Sequence, residues 1–444
     1  MTDELYKELC KIPMLDVHTH IDASHMSARG LHDILLYHMV ISDLYGAGCP
    51  DGHRLSEEPD EAETEGRIKN ALPYIKYIRN TSCYWGLKII LRDLYGWEDD
   101  ITEDNWRKLD GVIRTKSKDG AWPRKILNKA GIKRLGTELW RGHGGIADDV
   151  FQYGLEWAFF TRNQWNTYDT ALLELEHAWN QETPGAPLEV TTDRSKLDFK
   201  RTIKNMDDVK EAIKYYCEKI PYDKITNIAS HLSTDITYAP ATEGQMGEAL
   251  KNRNNAGEKE RDIYANYINE LYYGELTSNK EKSEKILLNY SVGAEPLPYE
   301  SGSKLRTETV FELAALFDKY KNLNFSLFLS NVHQNQALCT LARELPNVSL
   351  SAYWWHNFFP SSMRQIIAQR LDMLPANKQV GFFSDAYCVD WAYAKAEIVR
   401  RQLAYVFSEK ISQGQYTFDG ALEIAERIVY KTPQELCHMK PSDF

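Results

Sequence analysis

A chain of 444 residues, 43% hydrophobic and 26% charged, has ordinary globular composition and is long enough to bury a large core without staples. Its formal net charge of −11 argues against nucleic acid or an anionic membrane as the main partner, but leaves an anionic small molecule open, because local arginines can reverse the field inside one cleft. Seven scattered cysteines without a C-x-x-C pair, a charged start (MTDELYKELC) and no apolar run of the ~18–20 residues a membrane span needs predict a cytoplasmic protein with reduced, mostly buried thiols.

Short apolar runs recur along the chain, and eight of them read as strands. Met14–His18 (MLDVH) is the first. Ile132–Leu139, Leu155–Thr161 and Lys224–Ala229 follow, then Lys285–Val292, Asn324–Ser330, Asn347–Tyr353 and Gln379–Ser384. Helical spacing fills the gaps over Asp207–Lys219, Thr307–Tyr320, Gln334–Glu344, Ser362–Leu374 and Trp391–Phe407. Strand–helix alternation implies parallel strands with crossover helices. Eight units imply an α/β fold of (β/α)8 TIM-barrel type, and no G-x-G-x-x-G follows any strand to suggest an open doubly wound sheet.

Two connections are too long to be simple. Residues 22–129 separate the first two strands, with aromatic-rich helical pieces over Leu72–Tyr95 and an acidic exposed loop at Glu57–Glu65. Residues 235–284 follow the fourth strand and include a helix over Glu258–Tyr273. Insertions after barrel strands sit on the face that carries the active site. Both therefore read as helical caps on one domain spanning 1–444.

The strongest chemical signal is Asp16-Val17-His18-Thr19-His20. Residues i and i+2 of a strand point to one side, so His18 and His20 can converge on one cation; two surface histidines beside a strand would give the same letters. The second signal is Gly381-Phe382-Phe383-Ser384-Asp385, a carboxylate ending the last apolar strand. In a closed barrel the first and last strands are neighbours, so Asp385 would meet both histidines as ligand or proton acceptor; alone it reads equally as a helix N-cap. Arg162 follows an aromatic run and would bind a carboxylate bidentately, or make a surface ion pair. His231 follows the fourth strand, where a base or ligand would sit, and where a structural histidine is as common. Trp354, Trp355, His356 and Asn357 form an amphipathic cluster that would line a pocket or simply pack. His333 is a weaker candidate, and His25, His32, His38 and His53 read as solvated or capping.

Together these residues resemble the uronate isomerases of the amidohydrolase superfamily. IPMLDVHTHID resembles that family's strand with its two metal-binding histidines, here His18 and His20. CYWGLKIILRDLYGW (Cys83–Trp97) is similar to its insertion helix, and WPRKILNKAGIKRLGT (Trp122–Thr137) to its approach to the second strand. Phe160-Thr161-Arg162 matches the place of a substrate-binding arginine. The stretch from NVSLSAYWWHNFF to QVGFFSDAY resembles the Trp-Trp-x-Asn loop, connecting helix and metal-binding aspartate, mapping onto Trp354, Trp355, Asn357 and Asp385. AKAEIVRRQLAYVF resembles the family's Arg-Arg helix. Three positions depart from the pattern: Tyr387 stands where the family carries Arg, Ser230-His231 where it carries Ser-Asp-His, and Asn289 where it carries His.

The resemblance implies one divalent metal ion, zinc first and manganese second, on His18, His20 and Asp385. It implies aldose–ketose isomerisation of a hexuronate such as D-glucuronate or D-galacturonate. Asp385 or His231 would carry the proton, Arg162 would hold the carboxylate, and Trp354, Trp355 and Asn357 would wall the pocket. The alternative within the superfamily is a metal-dependent hydrolase of an amide, lactone or ester, and a barrel reduced to a binding module is a third. The implied partner is a small sugar acid, with neither nucleic acid nor membrane. Barrels of this type often self-associate, so a homo-oligomer is among the expectations although no interface is legible.

Overall fold

Eight strands form one parallel sheet in chain order: β1 (Met14–Asp16), β2 (Ile132–Glu138), β3 (Phe151–Glu156), β4 (Ile225–Leu232), β5 (Leu287–Val292), β6 (Asn324–Leu329), β7 (Val348–Ser351) and β8 (Gln379–Val380). The computed structural model describes residues 1–50, 61–157, 168–182, 198–232, 238–255, 257–293, 306–354 and 358–440. Each strand pairs with its sequence neighbour. The sheet curls so that its two edges meet: the Asp385 amide donates to the His18 carbonyl and the His20 amide to the Ala386 carbonyl.

The helices form for local reasons. Met206–Lys219 starts with a capping box, in which the Asn205 side chain accepts from the Asp207 and Asp208 amides and Asp208 accepts from the Asn205 amide. Its Val209, Ala212, Ile213 and Tyr216 are buried on one stripe. Val389–Ser412 shows little stripe because it is covered on most sides by the helices Thr2–Leu9, Ser82–Tyr95, Trp122–Ala130 and Pro360–Met373. Outward-facing strand side chains meet the surrounding helices; Phe325 of β6 packs on Phe317 of the helix Thr307–Lys319 at 4.4 Å between ring centres.

Among the described residues, seven α-helices from Leu31 to Ala130 occupy the connection between β1 and β2, and three from Glu243 to Ser283 the one between β4 and β5. The second of these three, Glu258–Ser278, runs five residues past the predicted end. Part of the predicted acidic loop is helix, since Glu61–Ala71 begins inside it; residues 51–60 lie outside the described part.

β3 begins at Phe151, four residues before the expected Leu155, and is Phe151–Glu156; residues 158–161 of the expected strand lie outside the described part. Gly154 of β3 pairs with Asn227 of the adjacent β4, and a side chain at 154 would meet the Asn227 side-chain amide. Two ladders are also shorter than the apolar runs suggested. β1 stops at Asp16 and β8 at Val380, and the chain continues from each in extended loops that carry the polar residues. All seven cysteines are free, six of them buried, and among the described residues no helix is long and apolar enough to cross a membrane.

Candidate active site

The segment after β1 lies over β2 at unusually close range. The Thr19 amide and hydroxyl both reach the Gly136 carbonyl, at 2.7 and 2.9 Å. A side chain at 136 would collide with the Val17 carbonyl, so glycine at this position permits the approach. The result orients His18 and His20 toward one point. Their rings lie 4.9 Å apart and nearly perpendicular, and each Nε2 is 3.3 Å from the same Asp385 Oδ1. Asp385 arrives from the far edge of the sheet, just past β8, with φ +53°. The donor atoms of the three residues lie within 4.8 Å of one another. Two imidazoles and one carboxylate are a suitable donor set for a divalent transition metal, so the residues fit the ion that the sequence implied.

Glu138, the last residue of β2, completes the arrangement and was missed in the sequence. Its Oε1 is 2.9 Å from His20 Nδ1, and its Oε2 is 2.8 Å from Arg141 Nε. A carboxylate on the far ring nitrogen fixes which nitrogen of His20 faces the cluster. The signal was present, since an acidic residue ends the apolar run IKRLGTEL on the face where chemistry sits.

The charges are strongly coupled. Burial disfavours a charged His20, but the Glu138 charge and the hydrogen bonds to Asp385 and Glu138 outweigh it and push the imidazole up to about 10. Burial would raise Glu138, yet the His20 charge and hydrogen bond hold it at about 2. Asp385 is likewise held well below the carboxylate range, against burial, by its hydrogen bonds to both histidines and by their charge. Asp385 and Glu138 are thus held ionised on either side of His20, whose ring can act as a metal ligand only in its neutral form.

The cluster forms one side of a cavity of about 190 Å³. His231 and Ser291 stand on the opposite side, with Asn227, Glu156, Trp354 and Tyr387 also in the wall. His231 Nδ1 is 3.2 Å from Ser291 Oγ, and its ring meets Trp354 edge-on at 5.4 Å. Tyr387 stacks on His20 at 4.9 Å. Glu156, exposed at the end of β3, lines the cavity, and desolvation there, and then the Glu138 charge, raise its carboxyl.

Of the residues singled out in the sequence, His18, His20, Asp385, His231 and Trp354 thus share one cavity. Arg162, Trp355, His356 and Asn357 lie outside the described residues, as does His53. His32 and His38 are not solvated, being 5% and 6% exposed. His38 packs against Tyr37 and Tyr387, and burial pushes its imidazole down to about 3. Asn289 is buried in β5 two residues before Ser291, with Oδ1 unpaired.

Fold and site together define a parallel α/β protein of TIM-barrel type with a His-His-Asp cluster at the carboxyl ends of its first and last strands. No family model matches the chain. A stretch of 114 residues, 26% of the chain, is 25% identical to the uronate isomerase of Thermotoga maritima, and the match spans 25% of that relative's length. The solved structure of the Thermotoga maritima uronate isomerase superposes with a TM-score of 0.78 at 14% identity, covering 98% of this chain and 96% of that one. Glucuronate isomerase from Caulobacter crescentus gives a TM-score of 0.79 at 13% identity, over 100% and 96%. The chain thus shares the fold of these two solved structures over nearly its whole length.

Proposed function

We propose that the chain is a metal-dependent aldose–ketose isomerase acting on a hexuronate such as D-glucuronate or D-galacturonate. The observation that carries this reading is the convergence of His18, His20 and Asp385 on one point, within a fold shared over nearly its whole length with uronate isomerases. The three residues would hold one divalent ion, zinc first and manganese second. When bound, such an ion polarises the carbonyl and hydroxyl oxygens of an open-chain sugar. Glu138 would keep the His20 ring turned toward it.

Isomerisation moves one proton between C2 and C1, and needs a titrating group within reach of both carbons. Asp385 and His231 face the cavity from opposite sides and are the two groups proposed for that transfer. Arg162 would hold the carboxylate, and Trp354, Trp355 and Asn357 would wall the sugar. The helices between β1 and β2 and between β4 and β5 would cap the cavity within a single domain. A cytoplasmic setting is supported by the free, mostly buried cysteines.

The test is to incubate Zn²⁺- or Mn²⁺-loaded protein with D-glucuronate and D-galacturonate and follow ketose formation. Ketose is expected from at least one of them, and Arg162→Ala should raise KM for acidic sugars more than for neutral ones. Release of acid from lactones, amides or esters, with no isomerisation, would instead assign the cluster to hydrolysis.

A further inference from the structure

Asp385 holds a backbone conformation that non-glycine residues rarely adopt, with φ +53°. The surroundings must over-determine it, and they do so with hydrogen bonds to separate parts of the chain. The Ser384 amide donates to Asp16 Oδ1 at 2.8 Å, and the Asp385 amide to the His18 carbonyl at 3.0 Å. The Ala386 carbonyl accepts from His20. The Asp385 carbonyl accepts from the hydroxyl of Tyr37 at 2.8 Å.

Tyr37 is itself held. Lys395, from the middle of the helix Val389–Ser412, donates from Nζ to the Tyr37 hydroxyl at 2.8 Å. Both residues are buried, at 4% and 2% exposure. The ammonium also lies 4.5 Å from the Phe358 ring centre. An ammonium can only donate and a backbone carbonyl can only accept, whereas a phenol does both. The Tyr37 hydroxyl accepts from Lys395 and commits its single proton to the Asp385 carbonyl, so the three groups form one directed chain. Neither Lys395 nor Tyr37 lines the cavity, and burying a lysine is costly unless its position serves something.

From this geometry we infer that Tyr37 and Lys395 are positioning residues, a two-member clamp that locks the strained Asp385 backbone so that its carboxylate stays between His18 and His20. The inference rests on the metal-centre reading of those three residues and adds what keeps the third ligand in place. Lys395 reaches the Asp385 backbone by hydrogen bonding only through Tyr37, so the two hydrogen bonds run in series.

The experiment is a titration of metal-free full-length protein with Zn²⁺ alone, and the visible spectrum with Co²⁺ as a reporter of ligand geometry. Wild type, Tyr37→Phe, Lys395→Met and the double variant are compared. Tyr37→Phe should bind Zn²⁺ about tenfold or more weaker, in the range found for partners of metal ligands, and should shift the Co²⁺ bands. Lys395→Met should weaken binding in the same direction, and the double variant should be no worse than Tyr37→Phe. Melting of the metal-free proteins checks that the fold persists. Wild-type Zn²⁺ affinity and an unchanged Co²⁺ spectrum in folded Tyr37→Phe would overturn the clamp, as would fully additive effects. Should Tyr37→Phe fail to fold, wild-type affinity in Lys395→Met overturns it equally. Absence of Zn²⁺ and Co²⁺ binding by wild type would instead sink the metal-centre reading, and the clamp with it.

Discussion

The two sides of the cavity are built differently. At the seam between β1 and β8, His20 is fixed by Glu138, Glu138 by Arg141, and the Asp385 carbonyl by Tyr37 under Lys395. These contacts, an ion pair at Arg141 and hydrogen bonds elsewhere, run at 2.8–2.9 Å. Across the cavity, the bond from His231 to Ser291 is 3.2 Å, and its aromatic neighbour Trp354 adjoins residues 355–357. A seam whose ligands are pre-set suits a cation, whose demands on distance are strict. A wall held by a longer bond at His231 suits a sugar that must enter, turn and leave.

The comparison is sharpest at His231. If this wall moves a proton while the seam holds the metal, His231→Asn should lower kcat by on the order of 10²-fold or more, with metal content unchanged. Metal loss in that variant, measured by elemental analysis, would erase the division between the two sides. Glu138→Gln strikes the seam instead. It keeps the shape of the bond to His20 and removes the charge, and metal affinity should fall by about 10–100-fold. An unchanged affinity would mean that His20 does not need its carboxylate.

The smallest expected effect is in stability. Burial lowers the Lys395 ammonium to about 8, partly offset by Asp385, Cys83 and Asp16. Between that value and the ordinary 10.5, the unfolded chain binds a proton that the folded chain does not, so stability owed to this group rises with pH. Relative to Lys395→Met, metal-free wild type should gain stability in urea between about pH 8 and pH 10. A gap that stays constant over that window would mean that Lys395 titrates as an ordinary lysine.

The seam was legible in the sequence because it is local. DVHTH and GFFSD each place polar side chains just past an apolar run, and a barrel makes its first and last strands neighbours. The same position would have yielded Glu138, which ends β2 as Asp385 follows β8. The start of β3 was not legible because Phe151–Gly154 is no continuous apolar run; Tyr153 and Gly154 take their places by pairing with Ile225 and Asn227 of β4. Tyr37 and Lys395 were not legible at all. They are 358 positions apart in sequence, and nothing local to either shows that a phenol at one would meet an ammonium at the other beneath Asp385.

The central claim is that His18, His20 and Asp385 hold one metal ion. It is tested most directly by measuring bound metal per chain in protein purified without chelator, for wild type and for the His18→Ala/His20→Ala variant. The account predicts about one equivalent in wild type and its loss in the variant, with metal-free folding retained. No metal in wild type after incubation with Zn²⁺ and Mn²⁺, or equal metal in both proteins, would contradict it.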